Sequence, residues 1–260
     1  MIVVVGLGNI GIAMAERLVN RGRPVTGVDL SPERRAAWQS ATGLAAADSL
    51  EAVGWAAVTH VLVIVRLTSQ VEGVLRQLDT LPVAEGTGVV VSSTLDIDYA
   101  RELGRYGDRT WRLVEMPISG GEYGARAGTL TVMPAGRHDE RDLQFIGDLA
   151  TTTVPFDQYG EPTVAKLLNN VSAAYTAVSY AEIILLAGRS GMSPSRLAEI
   201  LRTSSGGSWM GDHFMVLTDD LLAKDVNLLR SQVGELPDVT LNGTTDIVER
   251  LQEARALLRG

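Results

Sequence analysis

The chain opens on an unbroken apolar, largely β-branched run, Met1 to Val5, the pattern of a strand buried on both faces. It leads into the glycine-rich stretch Gly6 to Gly11, an amphipathic segment ending at Asn20-Arg21-Gly22, and a second strand, Val25 to Val28, that stops at Asp29. The alternation continues along the chain. His60 to Arg66 predicts a strand, Ser69 to Leu78 a helix, Gly88 to Ser92 a strand and Asp96 to Arg105 a helix. Leu113 to Met116 and Thr129 to Pro134 read as strands, and Asp139 to Leu149 as a helix. Repeated strand–helix units imply a parallel sheet with helices on both faces. Ligands of such sheets bind beyond the carboxyl ends of the strands, where Thr94 and Ser119 fall.

The pattern changes at Gly160. From there to Gly188 the chain reads as one long helix, with Pro162 suited to its first turn and Gly188 and Gly191 supplying the stop. Apolar residues lie on more than one face, and Ala173, Ala174, Ala177, Ser179 and Ala181 keep it slim, so burial on several sides is expected. Further helices follow: Ser193-Pro194 to Arg202 with Ser193 as N-cap, Leu217 to Gln232, and Thr244 to Arg259. The expected architecture is a Rossmann-type, doubly wound α/β domain over 1–159, then an all-α domain over 160–260 built on the long helix. About a hundred residues must cover that helix, so a symmetric homodimer or larger even homo-oligomer is expected.

Composition narrows the function classes. Of 260 residues 45% are hydrophobic and 21% charged, the balance of a soluble globular protein, and the net charge of −8 disfavours a nucleic-acid surface. With no cysteine there is no disulfide and no thiolate chemistry. His60, His138 and His213 show no metal-ligand spacing, so no metal is expected. No signal peptide is visible and no apolar run reaches the length of a membrane span, which leaves the cytoplasm as the expected compartment.

The first motif is Gly6-Leu7-Gly8-Asn9-Ile10-Gly11, set between a strand and a helix, with Asp29 about 20 residues further on. In this setting Gly6 permits the tight turn, Gly8 lets the backbone approach a pyrophosphate, and Gly11 lets helix and strand pack closely. The helix N-terminus presents free N–H groups to the phosphates. Asp29 is placed to accept hydrogen bonds from the adenosine ribose and to repel a 2′-phosphate, which favours NAD, while Arg34 and Arg35 leave NADP possible.

The second motif sits near the start of the long helix. Lys166 and Asn170 are four apart and share a face, with Asn169 beside them. The chain contains only two lysines, Lys166 and Lys224, against 21 arginines. Where a fixed positive charge is wanted this protein uses arginine, so a retained lysine points to a group that exchanges a proton near neutral pH.

These motifs resemble the β-hydroxyacid dehydrogenases, the group of 3-hydroxyisobutyrate dehydrogenase within the 6-phosphogluconate dehydrogenase superfamily. Gly6 to Gly11, Ser93-Thr94, the segment Pro117 to Leu130, Lys166 to Asn170, Ser204 to Trp209 and Lys224-Asp225 look like six family elements in the family's order. The resemblance implies an NAD(P)-dependent oxidoreductase that transfers a hydride between nicotinamide and a small 3-hydroxy or 3-oxo acid. It makes Lys166 the general acid/base, Asn170 the group that orients substrate, and Ser119, Gly120 and Gly121 the anchor for the substrate carboxylate. It places Leu67, Thr94 and Lys224 on the cofactor side, although Thr94 also suits a helix cap and Lys224 a pairing with Asp219 or Asp220. Asp225 reads most simply as a structural partner.

Three departures from the family pattern stand out. Leu67-Thr68 replaces the usual Leu-Pro, which loosens the loop beside the cofactor, and Pro162 replaces a glycine. The interval from Trp209 to Lys224 lacks roughly two or three helical turns, which opens the region bordering the pocket. Alternative readings are a reductase of a bulkier carbonyl or imine substrate and an NAD-binding scaffold without turnover. The imine reading requires a different acid in place of Lys166.

Overall fold

The structure, a computed structural model, describes residues 1–216 and 219–237. Leu217 and the expected helix Thr244 to Arg259 lie outside them. The first half of the chain runs β1 (Ile2–Val5), α1 (Asn9–Asn20), β2 (Val25–Val28), α2 (Pro32–Thr42), β3 (Ala46–Ala47), β4 (His60–Val63), α3 (Thr68–Leu78), β5 (Gly88–Val91), α4 (Ile97–Arg101) and β6 (Arg112–Glu115). It continues with β7 (Ile118–Ser119), α5 (Gly121–Ala127), β8 (Leu130–Val132), β9 (Ala135–Gly136), α6 (Glu140–Leu149) and β10 (Ala150–Thr153). Helices α7 (Glu161–Arg189), α8 (Pro194–Thr203), α9 (Trp209–Asp212) and α10 (Asp219–Val233) follow.

The main sheet has the order β3-β2-β1-β4-β5-β6-β9. Its first six strands are parallel, and β9 closes the edge antiparallel to β6. The apolar runs are buried on both faces, as continuous runs in a covered parallel sheet should be. Val4, Leu62, Val90 and Val114 join the core under α1 and α6, while Val3, Val61, Val89 and Leu113 join the core on the opposite face.

A second sheet, β10-β8-β7, was not expected. Within Thr129 to Pro134 the strand is Leu130–Val132, and it pairs with β7 and β10 instead of extending the main sheet. Pro117 follows β6 closely and has no N–H to give a ladder, so the chain leaves the main sheet there. Helix α2 also carries little periodic signal, because Trp38 is its one buried residue.

The long helix is present, but its expected burial on several sides is not met among the described residues. Leu167, Val171 and Ala177 are buried on it, whereas Leu168, Val178 and Leu185 are more than half exposed. By length and composition it would qualify as a membrane span, contrary to the expectation that no stretch reaches that length. Ser193 precedes α8 without making the expected side-chain cap hydrogen bond.

One histidine is accounted for by the fold. His60 begins β4, away from the carboxyl ends of the strands, with its Nε2 3.2 Å from the buried carboxylate of Asp142. Arg112 Nε donates to the same carboxylate at 2.9 Å, and a Cβ on Gly88 would lie 2.2 Å from it. Burial works against the charged carboxylate, but His60 and Arg112 outweigh it and hold Asp142 well below the usual carboxylate range.

Candidate active site

The glycine turn has the geometry its sequence calls for. Gly6 has φ +100°, and a Cβ there would lie 2.3 Å from the Ile64 carbonyl oxygen. A Cβ on Gly11 would lie 2.0 Å from the Gly6 carbonyl oxygen. Gly8 has open space where a Cβ would stand, and α1 starts at Asn9 without a side-chain cap. The turn therefore fits a dinucleotide: Gly8, Asn9 and Ile10 offer bare backbone at a helix N-terminus, the arrangement that receives a pyrophosphate.

Asp29 holds that turn from the end of β2. Its Oδ2 accepts from the Leu7 N–H at 2.8 Å and its Oδ1 from the Ser31 N–H at 2.9 Å. Arg34 stands 3.5 Å from Oδ2, half exposed, while Arg35 donates to the carbonyl oxygens of Asp29 and Leu30. Asp29 thus stands at the end of β2 beside the glycine turn with a guanidinium next to it.

Leu67, Thr94 and Lys224 line one cleft of about 270 Å³, together with Arg66, Thr68, Ser69, Asp96 and Leu228. The loop after β4 keeps its backbone contacts without the proline. Gln70 Oε1 accepts from both the Arg66 and Leu67 N–H groups at 3.0 Å, and Ser93 Oγ accepts from the Val65 N–H at 2.8 Å. Thr94 does not stand at the N-cap of α4; Asp96 holds that position. Lys224 pairs with Asp225, Nζ to Oδ1 at 3.2 Å. The Asp219 and Asp220 side chains lie outside the described residues.

Next to this cleft, α7 gathers the second motif. Lys166 Nζ donates to Asn170 Oδ1 at 2.9 Å, and Asn170 Nδ2 donates to Asp225 Oδ2 at 2.5 Å. Asn169 Nδ2 donates to Asn170 Oδ1 at 3.2 Å and reaches Ser119 Oγ at 3.3 Å. Ser119, Asn169, Asn170 and Lys166 therefore form one connected set, and Asp225 joins it to Lys224 at the cleft. Burial lowers the Lys166 amine to about 8; Asp225 opposes the fall and Lys224 adds to it. A lysine in this state exchanges its proton near neutral pH.

After Ser119 the chain turns through Gly120 (φ +122°) and Gly121 (φ +60°), conformations that L side chains rarely adopt. Helix α5 begins there with no side-chain cap, leaving backbone N–H groups beside the serine hydroxyl. Tyr123 on that helix faces His213, ring centroids 6.1 Å apart, and His213 stacks on Trp209 at 4.0 Å. The short segment after Trp209 thus brings an aromatic group toward the Ser119 turn.

Asp225 is a structural partner as expected, of Asn170 and Lys224, whereas sequence reading missed Glu115. The latter ends β6, is fully buried, and accepts hydrogen bonds from the first turn of α7. A signal was present: an acid terminating an apolar strand, the same pattern that singled out Asp29.

Comparison with known proteins agrees with this geometry. The family model for the NAD binding domain of 6-phosphogluconate dehydrogenase matches residues 1–144. The model described as NAD-binding of NADP-dependent 3-hydroxyisobutyrate dehydrogenase matches residues 160–258. Mitochondrial 3-hydroxyisobutyrate dehydrogenase of Rattus norvegicus is 29% identical over 219 residues, 81% of this chain and 64% of that protein. The chain thus spans less than two thirds of that relative's length. NAD-dependent L-serine dehydrogenase of Pseudomonas aeruginosa is 32% identical over 213 residues, 80% of this chain and 71% of that protein. The crystal structure of a 3-hydroxyisobutyrate dehydrogenase from Salmonella typhimurium superposes with a TM-score of 0.77 at 23% identity, covering 98% of this chain and 94% of that one. With an NAD(P)-binding Rossmann domain ahead of a helical domain built on α7, the chain belongs to the β-hydroxyacid dehydrogenase family.

Proposed function

We propose that the protein is an NAD(P)-dependent dehydrogenase, or reductase in the reverse direction, of a small 3-hydroxy or 3-oxo acid. One observation carries the reading: a lysine amine lowered to about 8, hydrogen-bonded to Asn170 and connected through Asn169 to Ser119. Ser119 and the backbone of Gly120 and Gly121 hold the substrate carboxylate. Asn170 orients the substrate hydroxyl, and Lys166 takes its proton in oxidation or returns one in reduction. Gly6 to Gly11 and Asp29 hold the dinucleotide at its pyrophosphate and ribose, with Leu67, Thr94 and Lys224 lining the cleft beside them. When bound, the nicotinamide supplies the hydride acceptor or donor. A screen of 3-hydroxy acids with NAD and with NADP tests this; no turnover with any acid and either cofactor would refute it.

The aromatic group of Trp209, His213 and Tyr123 favours a substituent larger than methyl on the substrate, and the same screen should include aryl and long-chain 3-hydroxy acids. Lys166 counts against imine reduction, and the complete Lys166–Asn170–Ser119 set counts against an inert scaffold.

Asp29 favours NAD over NADP. Fluorescence titration should give the lower Kd for NAD, and Asp29→Ala should narrow the gap while weakening both, because the Leu7 N–H loses its partner. Tighter NADP binding by the wild type would reverse the assignment and implicate Arg34.

Leu168, Val178 and Leu185 project from α7 with more than half their surface exposed. A second copy of the chain covers this face in our reading, giving an even homo-oligomer. Light scattering at micromolar concentration should give a dimer or a multiple of it; a monomer would refute this.

A further inference from the structure

We propose that Glu115 is a positioning residue that clamps the first turn of α7 to the end of β6 and so sets where Lys166 stands relative to Ser119. The two halves of the site diverge from this clamp. Glu115 precedes Ser119 by four residues on one segment, while Gly160 and Thr163 precede Lys166 by six and three on the other. One carboxylate oxygen accepts from the Gly160 N–H at 2.7 Å. The other accepts from the Thr163 N–H at 2.9 Å and from the Thr163 hydroxyl at 2.6 Å. Thr163 lies one helical turn before Lys166 on the same side of α7, so a shift at Thr163 is carried directly to the amine.

The clamp is sealed and charged. Both Glu115 and Thr163 are 0% exposed, so solvent does not compete for these bonds. Leaving α7's first N–H groups unpaired there would cost more than at a surface. The negative charge also suits the positive end of the helix dipole. Burial raises the Glu115 carboxyl above its ordinary range, and the bonds from Thr163 and Gly160 oppose that rise. Gly160 cannot easily yield: it has φ +88°, and a Cβ there would lie 2.5 Å from Arg101 Cγ. One residue earlier, Tyr159 donates its hydroxyl to the Leu113 carbonyl oxygen at 2.8 Å, a second tie to β6. Asp225 and Lys224 are the charges that act on the Lys166 amine, so Glu115 works through position and not through its field.

This inference rests on the dehydrogenase reading, and the test separates the two. Glu115→Gln keeps the volume but turns one acceptor oxygen into an NH₂ group facing an N–H donor. Thr163→Val removes only the hydroxyl bond. Hydrogen exchange over residues 160–166, cofactor Kd, and kcat with its pH profile on the best 3-hydroxy acid should be measured for wild type and both variants. In Glu115→Gln the exchange should quicken and kcat should fall by about 10–100-fold, since a misplacement of about 1 Å costs that order of rate. Cofactor Kd should stay within about twofold. Thr163→Val should lose several-fold in kcat with the pH profile unmoved, and it decides the matter if Glu115→Gln does not fold. Faster exchange with kcat retained within about twofold would make Glu115 a stability cap only and overturn the proposal. A wild type without turnover counts against the dehydrogenase reading instead. The clamp is then judged by the rate at which an amine-reactive reagent labels Lys166, expected to change several-fold in Glu115→Gln; an unchanged rate overturns it.

Discussion

Lys166→Arg should lower kcat by about 10²–10⁴-fold, the usual contribution of a general acid/base, and leave cofactor Kd within about twofold. The exchange keeps the positive charge and can keep a bond to Asn170, so electrostatic positioning survives. What is lost is deprotonation: the Lys166 amine lies at about 8, whereas a guanidinium stays charged throughout the working range. In oxidation the substrate hydroxyl then has no acceptor for its proton. The glycine turn and Asp29 make their contacts on other elements, which is why the cofactor should bind as before. Steady-state kinetics on the best substrate, beside a fluorescence titration, checks both halves. Turnover retained within a few-fold would remove Lys166 from the mechanism.

Much of this site was legible in the sequence because its parts are local. Gly6 has a backbone conformation and Gly11 a close contact that only glycine allows, and Lys166 and Asn170 meet because helical spacing makes them neighbours. The class of the main sheet was legible, since apolar runs buried on both faces demand helices above and below. What was not legible depends on contacts between distant segments. The small sheet β10-β8-β7 exists because Pro117 releases the chain from β6. Glu115 is separated from Gly160 by 45 residues, and Asn170 from Asp225 by 55; no local pattern joins them. The Leu67 loop, by contrast, is held locally: the Gln70 side chain accepts from the N–H groups three and four residues before it.

Asp225 should have the next largest effect, and its sign follows from the two charges beside Lys166. Asp225 stabilises the protonated amine, whereas Lys224 destabilises it. Asp225→Asn removes the first influence and leaves Lys224 without its partner at 3.2 Å, so both changes push the Lys166 amine below about 8. Oxidation requires the neutral amine, so the acidic limb of its pH–rate profile should move to lower pH. Reduction requires the protonated amine, so its alkaline limb should move the same way and its rate at pH 8 should drop. Lys224→Met removes a like charge and should move both limbs to higher pH. In Asp225→Asn the ceiling of the rate should fall as well, because the Asn170 amide loses its charged acceptor. Hydrogen bonds to charged groups are worth about 1.5–3 kcal/mol, or roughly 10–150-fold where the orientation matters only in the transition state. The profiles of wild type, Asp225→Asn and Lys224→Met in both directions are the measurement. A limb that moves the same way in the two variants would show that their charges do not set the lysine, leaving burial alone as the cause of its low proton affinity.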